Sequence, residues 1–253
     1  MGGLTFDWGG VLSGGPLEWL ELGFLTTLYV TVAGSLLATL IAVVLLGLRI
    51  SENPVVQWPA VAVVAIFRNT PLLVQILFWY FAGFGLLPAA WHAWINDDHA
   101  WAMAPGGVGL LTPEFLAATW GLGVFSGVFI AEEIRAGLMA VAPGQREAAL
   151  AQGFGHWRCL GYILLPQALA NAWQPVVGQY LNLMKLSSLA AAIGLAEITY
   201  QVRQIESYNS HALEAFAVGT LLYLAIGMVM GQVLLRCGPG RGTMVHGGRR
   251  RGP

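Results

Sequence analysis

Residues Leu22 to Leu48 run without a charged side chain until Arg49 ends them. A hydrocarbon core about 30 Å thick is crossed by roughly 20 apolar residues in a helix, so this run is built to span a bilayer. Inside lipid every backbone N–H and C=O must find its partner within the protein, which makes a run of this length a helix. Four further runs repeat the pattern: Val55 to Pro88, a run from Phe115 with Glu132, Glu133 and Arg135 in its last turns, a run from near Leu160 that contains Pro166, Pro175 and Lys185 and continues as Leu186 to Ala196, and Ala215 to Leu235. The second is too long for one straight span and is interrupted at Arg68-Asn69-Thr70-Pro71, where proline predicts a kink. The expected fold is an all-α integral membrane protein of about five transmembrane helices. Composition agrees, since 57% of the residues are hydrophobic and 10% charged, against about 25% charged in soluble domains.

Five spans put the two ends of the chain on opposite sides, and the basic residues choose between them. With the N-terminus outside, Arg49, Arg135, Arg146, Arg158, Arg236, Arg241, Arg249, Arg250 and Arg251 lie inside, only Arg203 lies outside, and Arg68 and Lys185 fall within spans. This asymmetry predicts a membrane protein with its N-terminus outside and a cytoplasmic C-terminus. Its expected parts are an extracytoplasmic N-terminal segment over 1–21, a transmembrane domain over 22–235 and a cytoplasmic tail over 236–253. The first segment has no Lys or Arg and so lacks the basic region of a signal peptide, which predicts that the first run is retained as a span. Trp91, Trp94 and Trp101 suit a membrane interface, and Asp97 and Asp98 fall outside with them. A net charge of −1 gives no reason to expect nucleic acid. The tail segment Gly238-Pro239-Gly240-Arg241-Gly242-Thr243 lacks the Gly-Lys-Ser/Thr ending of a phosphate loop. Cys159 and Cys237 stand in no metal or redox spacing and are expected as free thiols, and no metal site is expected. No nucleophile, base and orienter occur in a context that predicts an enzyme.

Pro143 to Pro166 is polar where its neighbours are apolar, yet it is rich in Ala, Leu, Gln, Glu and Arg, which favour helix. Pro143-Gly144 breaks the preceding span and Gly153 sits where a helix of about two turns ends in a left-handed cap. Ala148, Ala149 and Ala151 keep that helix slender enough to enter a groove on another protein. The pattern Glu147-Ala148-Ala149, three residues, Gly153, nine residues, Ile163-x-Leu165-Pro166 resembles the cytoplasmic coupling loop, here 143–159, of the permease subunits of binding-protein-dependent ABC importers. Phe67 to Gln75, and Asn182 to Leu189 followed by Ile193-Gly194, are similar to the polar amino acid permeases, and Tyr208 to Phe216 to their glutamate/aspartate branch. The resemblance covers Thr26 to Leu235; Leu186, where Asn or Asp is frequent, and the pair Glu132-Glu133, where one acid is usual, depart from it.

The resemblance implies a type I ABC importer (MetI-like) permease fold and a transport subunit without enzymatic activity, placed in the bacterial inner membrane. It implies a dimer of ATPase subunits that bind ATP and Mg, a second permease subunit, homologous or identical, a periplasmic binding protein, and membrane lipid; the chain itself is expected to hold no cofactor. The residues expected to couple to the ATPase are Gln145, Arg146, Glu147, Ala148, Ala149, Gln152, Gly153, Ile163, Leu165 and Pro166. A charge at the centre of a span costs about 2.5–3.5 kcal/mol and marks function. Neither Arg68 nor Lys185 has an obvious acidic partner at its depth, because Glu132 and Glu133 lie near the cytoplasmic end of their span. Arg68, about 20 Å into the run from Val55, falls in the outer half. Both cations, with Thr70, Gln75, Ser187 and Ser188 as donors, are expected to line the pathway and meet the substrate carboxylate, glutamate or aspartate first. Glutamine, asparagine or a basic amino acid is the alternative within the same machine. A stand-alone carrier or channel is the alternative outside it, and the inverted repeats usual there are absent from the sequence. Glu132 and Arg135 are spaced for a local ion pair, and Gly123/Gly127 and Gly227/Gly231 for close helix packing.

Overall fold

The structure is a computed structural model that describes residues 6–97 and 99–239. Asp98 and the tail arginines Arg241, Arg249, Arg250 and Arg251 lie outside the described residues. The helices are α1 Gly9–Leu12, α2 Gly14–Arg49, α3 Pro54–Arg68, α4 Leu72–Phe78, α5 Ala89–Ile95, α6 Pro113–Met139, α7 Pro143–Ala151, α8 His156–Cys159, α9 Leu165–Leu186, α10 Ile198–Asn209 and α11 Ala212–Arg236. Three of them, α2, α6 and α11, are each long and apolar enough to cross a membrane, and two bent pairs bring the number to five. A two-stranded hairpin, β1 Met103–Ala104 with β2 Val108–Gly109, interrupts the tryptophan-rich segment.

Helix α2 starts earlier than its apolar run. Its 36 residues reach about 54 Å, well beyond the hydrocarbon core, so no break separates residue 21 from 22. Glu18 and Glu21 mark where apolarity begins, and glutamate is no obstacle to helix.

The expected kink in the second run is a corner of 105° between α3 and the helical stretch Leu72–Leu86. Pro71 brings no N–H to continue the ladder, and neighbouring side chains take the carbonyls that are left. Asn69 Nδ2 donates to Ala65 O at 2.7 Å, Thr70 Oγ1 to Ile66 O at 2.7 Å, and Gln75 Nε2 to Phe67 O at 3.1 Å and Thr70 O at 3.0 Å. At the other end of α3, Pro54 takes the first helical position, where a missing N–H costs nothing, and Asn53 Oδ1 accepts from Val55 N at 2.9 Å. The corner is thus held by the residues that make it.

Helix α6 is the central post, with α2 on one side, α9 on the other and α3 and α4 against it. In its apolar window 67% is buried, against 17% in α11, which leaves α11 largely open to lipid or to another subunit. The close approach depends on absent side chains: a Cβ on Gly127 would lie 2.8 Å from Ala38 O, and one on Gly123 2.7 Å from Leu37. The packing expected of this glycine pair is therefore present, between α6 and α2. Gly227 and Gly231 are looser, at 3.1 Å from Met184 and 3.7 Å from Leu181.

Candidate functional site

Helix α7 ends on Gly153 at φ +84°. The next two amides close it: Gly153 N donates to Leu150 O at 3.0 Å and Phe154 N to Ala149 O at 3.1 Å. This pair of reversed bonds around a left-handed glycine terminates the helix after about two turns. The three faces of α7 have different surroundings. Ala149 is buried; Pro143, Arg146, Glu147 and Leu150 border a groove of about 660 Å³ shared with the last residues of α2 and α6; and Gln145, Ala148 and Gln152 are exposed on the remaining stripe. Ile163 and Leu165 are half-buried and Pro166 is exposed where α9 begins, after one π turn over Leu160–Leu164. Arg146 and His156 both reach Glu52, at 3.7 and 3.5 Å, in the turn between α2 and α3. Cys159, buried below this loop, and exposed Cys237 are both free.

Above the loop one carboxylate collects three arginines. Glu132 lies 3.2 Å from Arg49, 3.0 Å from Arg135 and 3.7 Å from Arg68, whose guanidinium also sits 5.5 Å from the Phe129 ring centroid. The local pair of Glu132 and Arg135 is present and has two chelating bonds, but it is one arm of a larger cluster. The structure corrects one expectation about Arg68: it has an acidic partner. The physical reason is packing, since α3 lies against α6 and sets its last residue beside Glu132. Glu133 points elsewhere, accepting from Gln179 Nε2 on α9 at 3.4 Å.

The remaining pathway candidates separate by what their polar atoms already do. Thr70 and Gln75 hold the corner, and fully buried Ser187 donates to Met184 O at 2.7 Å. Ser188 also donates to backbone, to Lys185 O at 2.8 Å, but it borders open space. Lys185 is exposed, and among the described residues no carboxylate is paired with it. With Ser188, Thr199, Thr220 and Tyr223 it lines a groove of about 380 Å³ over the apolar floor of Ile198, Val202 and Phe216. Thr199 Oγ1 and Tyr223 OH lie 3.1 Å apart, and Tyr223 OH is bonded to Glu197, whose other oxygen caps α10 by accepting from Tyr200 N at 2.8 Å. Arg49, Glu52, Thr199, Thr220 and Tyr223 were not legible as site residues in the sequence. The one available signal was position, since Arg49 and Glu52 bracket the first turn after a span.

Residues 31–236 match the family described as binding-protein-dependent transport system inner membrane component. Among curated relatives, the glutamate/aspartate import permease protein GltJ of Escherichia coli (strain K12) is 30% identical over 232 residues, covering 88% of this chain and 89% of its own. The glutamine transport system permease protein GlnP of the same strain is 32% identical over 234 residues, covering 92% and 96%. Among solved structures, an amino acid ABC transporter crystallised with histidines superposes with a TM-score of 0.74 at 24% identity, over 92% of this chain and 98% of the other, which shows a shared fold. The chain belongs to the inner-membrane components of binding-protein-dependent transport systems and is an ABC importer permease.

Proposed function

We propose that this permease carries polar amino acids across the inner membrane, glutamate and aspartate first, as they are handed over by a periplasmic binding protein. The observation that carries the reading is α7: a capped two-turn helix with one buried alanine and an exposed Gln145, Ala148 and Gln152 stripe, which offers itself to a partner. Two ATPase subunits, which bind the ATP and Mg, receive α7 and its counterpart on a second permease subunit, identical or homologous. The chain itself performs no chemistry, holds no cofactor and takes no nucleic acid.

Of the pathway residues expected from sequence, Lys185 and Ser188 remain as substrate contacts. Arg68, Thr70 and Ser187 have their polar groups engaged in holding the corner and the helix ends, as does the Gln75 amide N–H, while the buried Gln75 Oε1 has no partner among the described residues. An unpaired ammonium opening on a groove suits a carboxylate. An acidic side chain supports two such contacts where an amide supports one, which with the resemblance of Tyr208 to Phe216 favours glutamate and aspartate. The similarity to a glutamine permease favours an amide substrate instead. Uptake of labelled glutamate into proteoliposomes containing the chain, its ATPase, its partner permease and the binding protein tests this. It is expected to need ATP and to be competed by aspartate and poorly by glutamine; uptake by the chain alone, without ATP, contradicts it.

The same proposal places the N-terminus outside and α7 in the cytoplasm. Gln152→Cys, with Cys159 and Cys237 replaced by serine, is expected to react with a membrane-impermeant maleimide in inside-out vesicles. Labelling in intact cells instead reverses the orientation.

A further inference from the structure

We propose that Glu132 is a positioning residue for transport: it holds the corner of the second span to the coupling loop, so that displacement of α7 moves Arg68 and the segment beyond it. The inference rests on α7 being the helix that the ATPase moves. It is carried by two sets of contacts that share one short turn. The turn between α2 and α3 has Arg49 at its start and Glu52 within it. Glu52 faces Arg146 of α7 at 3.7 Å and His156 of α8 at 3.5 Å, while Arg49 faces Glu132 of α6 at 3.2 Å. Glu132 in turn reaches Arg68, the last residue of α3, at 3.7 Å. Arg135, four residues before the end of α6, completes the cluster at 3.0 Å, and three residues separate the end of α6 from the start of α7.

Motion of α7 therefore has two routes to the same carboxylate: through the α2–α3 turn by Glu52 and Arg49, and along α6 itself. From Glu132 it has one exit, Arg68, whose helix ends at the 105° corner. Arg68 is the loosest arm, 46% exposed where Arg49 is 15% exposed, as expected of the member that moves against the others. A carboxylate suits this place because its two oxygens exchange partners among three guanidinium groups without leaving any cation alone. A glutamine there offers one acceptor and no charge.

The test is made on the assembled complex in proteoliposomes, with the binding protein and a radiolabelled mixture of the common amino acids, so that it does not depend on which one is carried. Uptake and ATP hydrolysis are measured together. Glu132→Gln is expected to lower uptake at least tenfold while hydrolysis continues, raising the ATP consumed per solute, and Glu132→Asp to restore most of the coupling. Arg68→Gln is expected to lower uptake severalfold, and the double variant to be no worse than Glu132→Gln alone, because Arg68 acts through Glu132. An unchanged ratio of hydrolysis to uptake in Glu132→Gln, or losses that multiply in the double variant, overturns the proposal. Should Glu132→Gln fail to assemble, Arg68→Gln decides by itself: normal uptake per ATP overturns the proposal. Ala148→Trp, on the free face of α7, separates this from failure of the coupling reading, since an ATPase that still binds that variant refutes the docking role of α7 whatever Glu132 does.

Discussion

Ala148→Trp is expected to release the ATPase from the complex and to lower ATP-driven uptake at least about a hundredfold, with the chain still folded and in the membrane. Ala148 is exposed, between Gln145 and Gln152 on the one stripe of α7 that touches neither the buried side nor the groove toward α2. An indole there meets nothing within its own subunit, so the fold has no reason to change. If α7 seats in an ATPase groove as proposed, the indole overpacks that contact, which costs about 1–3 kcal/mol or more. A loss of about 2.7 kcal/mol is a hundredfold in affinity. Ala148→Ser, which adds one oxygen, is expected to bind the ATPase normally. Co-purification of the ATPase with each variant is the measurement, and undiminished recovery with the tryptophan variant would remove α7 from the interface.

Lys185→Ala is expected to lower uptake about ten- to a hundredfold without loss of the assembled complex. The ammonium has no carboxylate partner among the described residues and opens on the groove with Ser188, Thr199, Thr220 and Tyr223. Removing an exposed cation leaves no orphaned acid behind, so folding has little to lose. A hydrogen bond to a charged group contributes about 1.5–3 kcal/mol, which sets the size of the effect when the substrate carboxylate loses it. Lys185→Arg is expected to keep part of the activity, since the charge is retained but the planar fork donates from a different place. Dose–response of uptake against substrate separates the cases: a loss confined to saturating rate points away from direct contact and toward helix movement.

Much of this protein was legible before folding. The coupling helix could be read to within a residue or two because its limits are local: Pro143 admits no ladder bond, and Gly153 tolerates the φ of +84° that closes the helix. Close helix packing at Gly123 and Gly127 was also legible from their spacing, but not that α2 is the neighbour, and the same spacing at Gly227 and Gly231 makes looser contacts. The start of α2 was not, because apolarity marks where lipid begins and says nothing of where a helix does.

Sequence by itself determined the spans, the helix between them and its caps, all of which depend on hydrogen bonds and apolar lengths within about ten residues of chain. Tertiary structure alone decided what Arg68 and Lys185 meet. Arg49, Arg68 and Glu132 come from three different helices and converge because α2 and α3 both pack against α6; the groove beside Lys185 needs α9, α10 and α11 side by side. Charges act through space, and their spacing along the chain becomes a distance only when the helices have been set against one another.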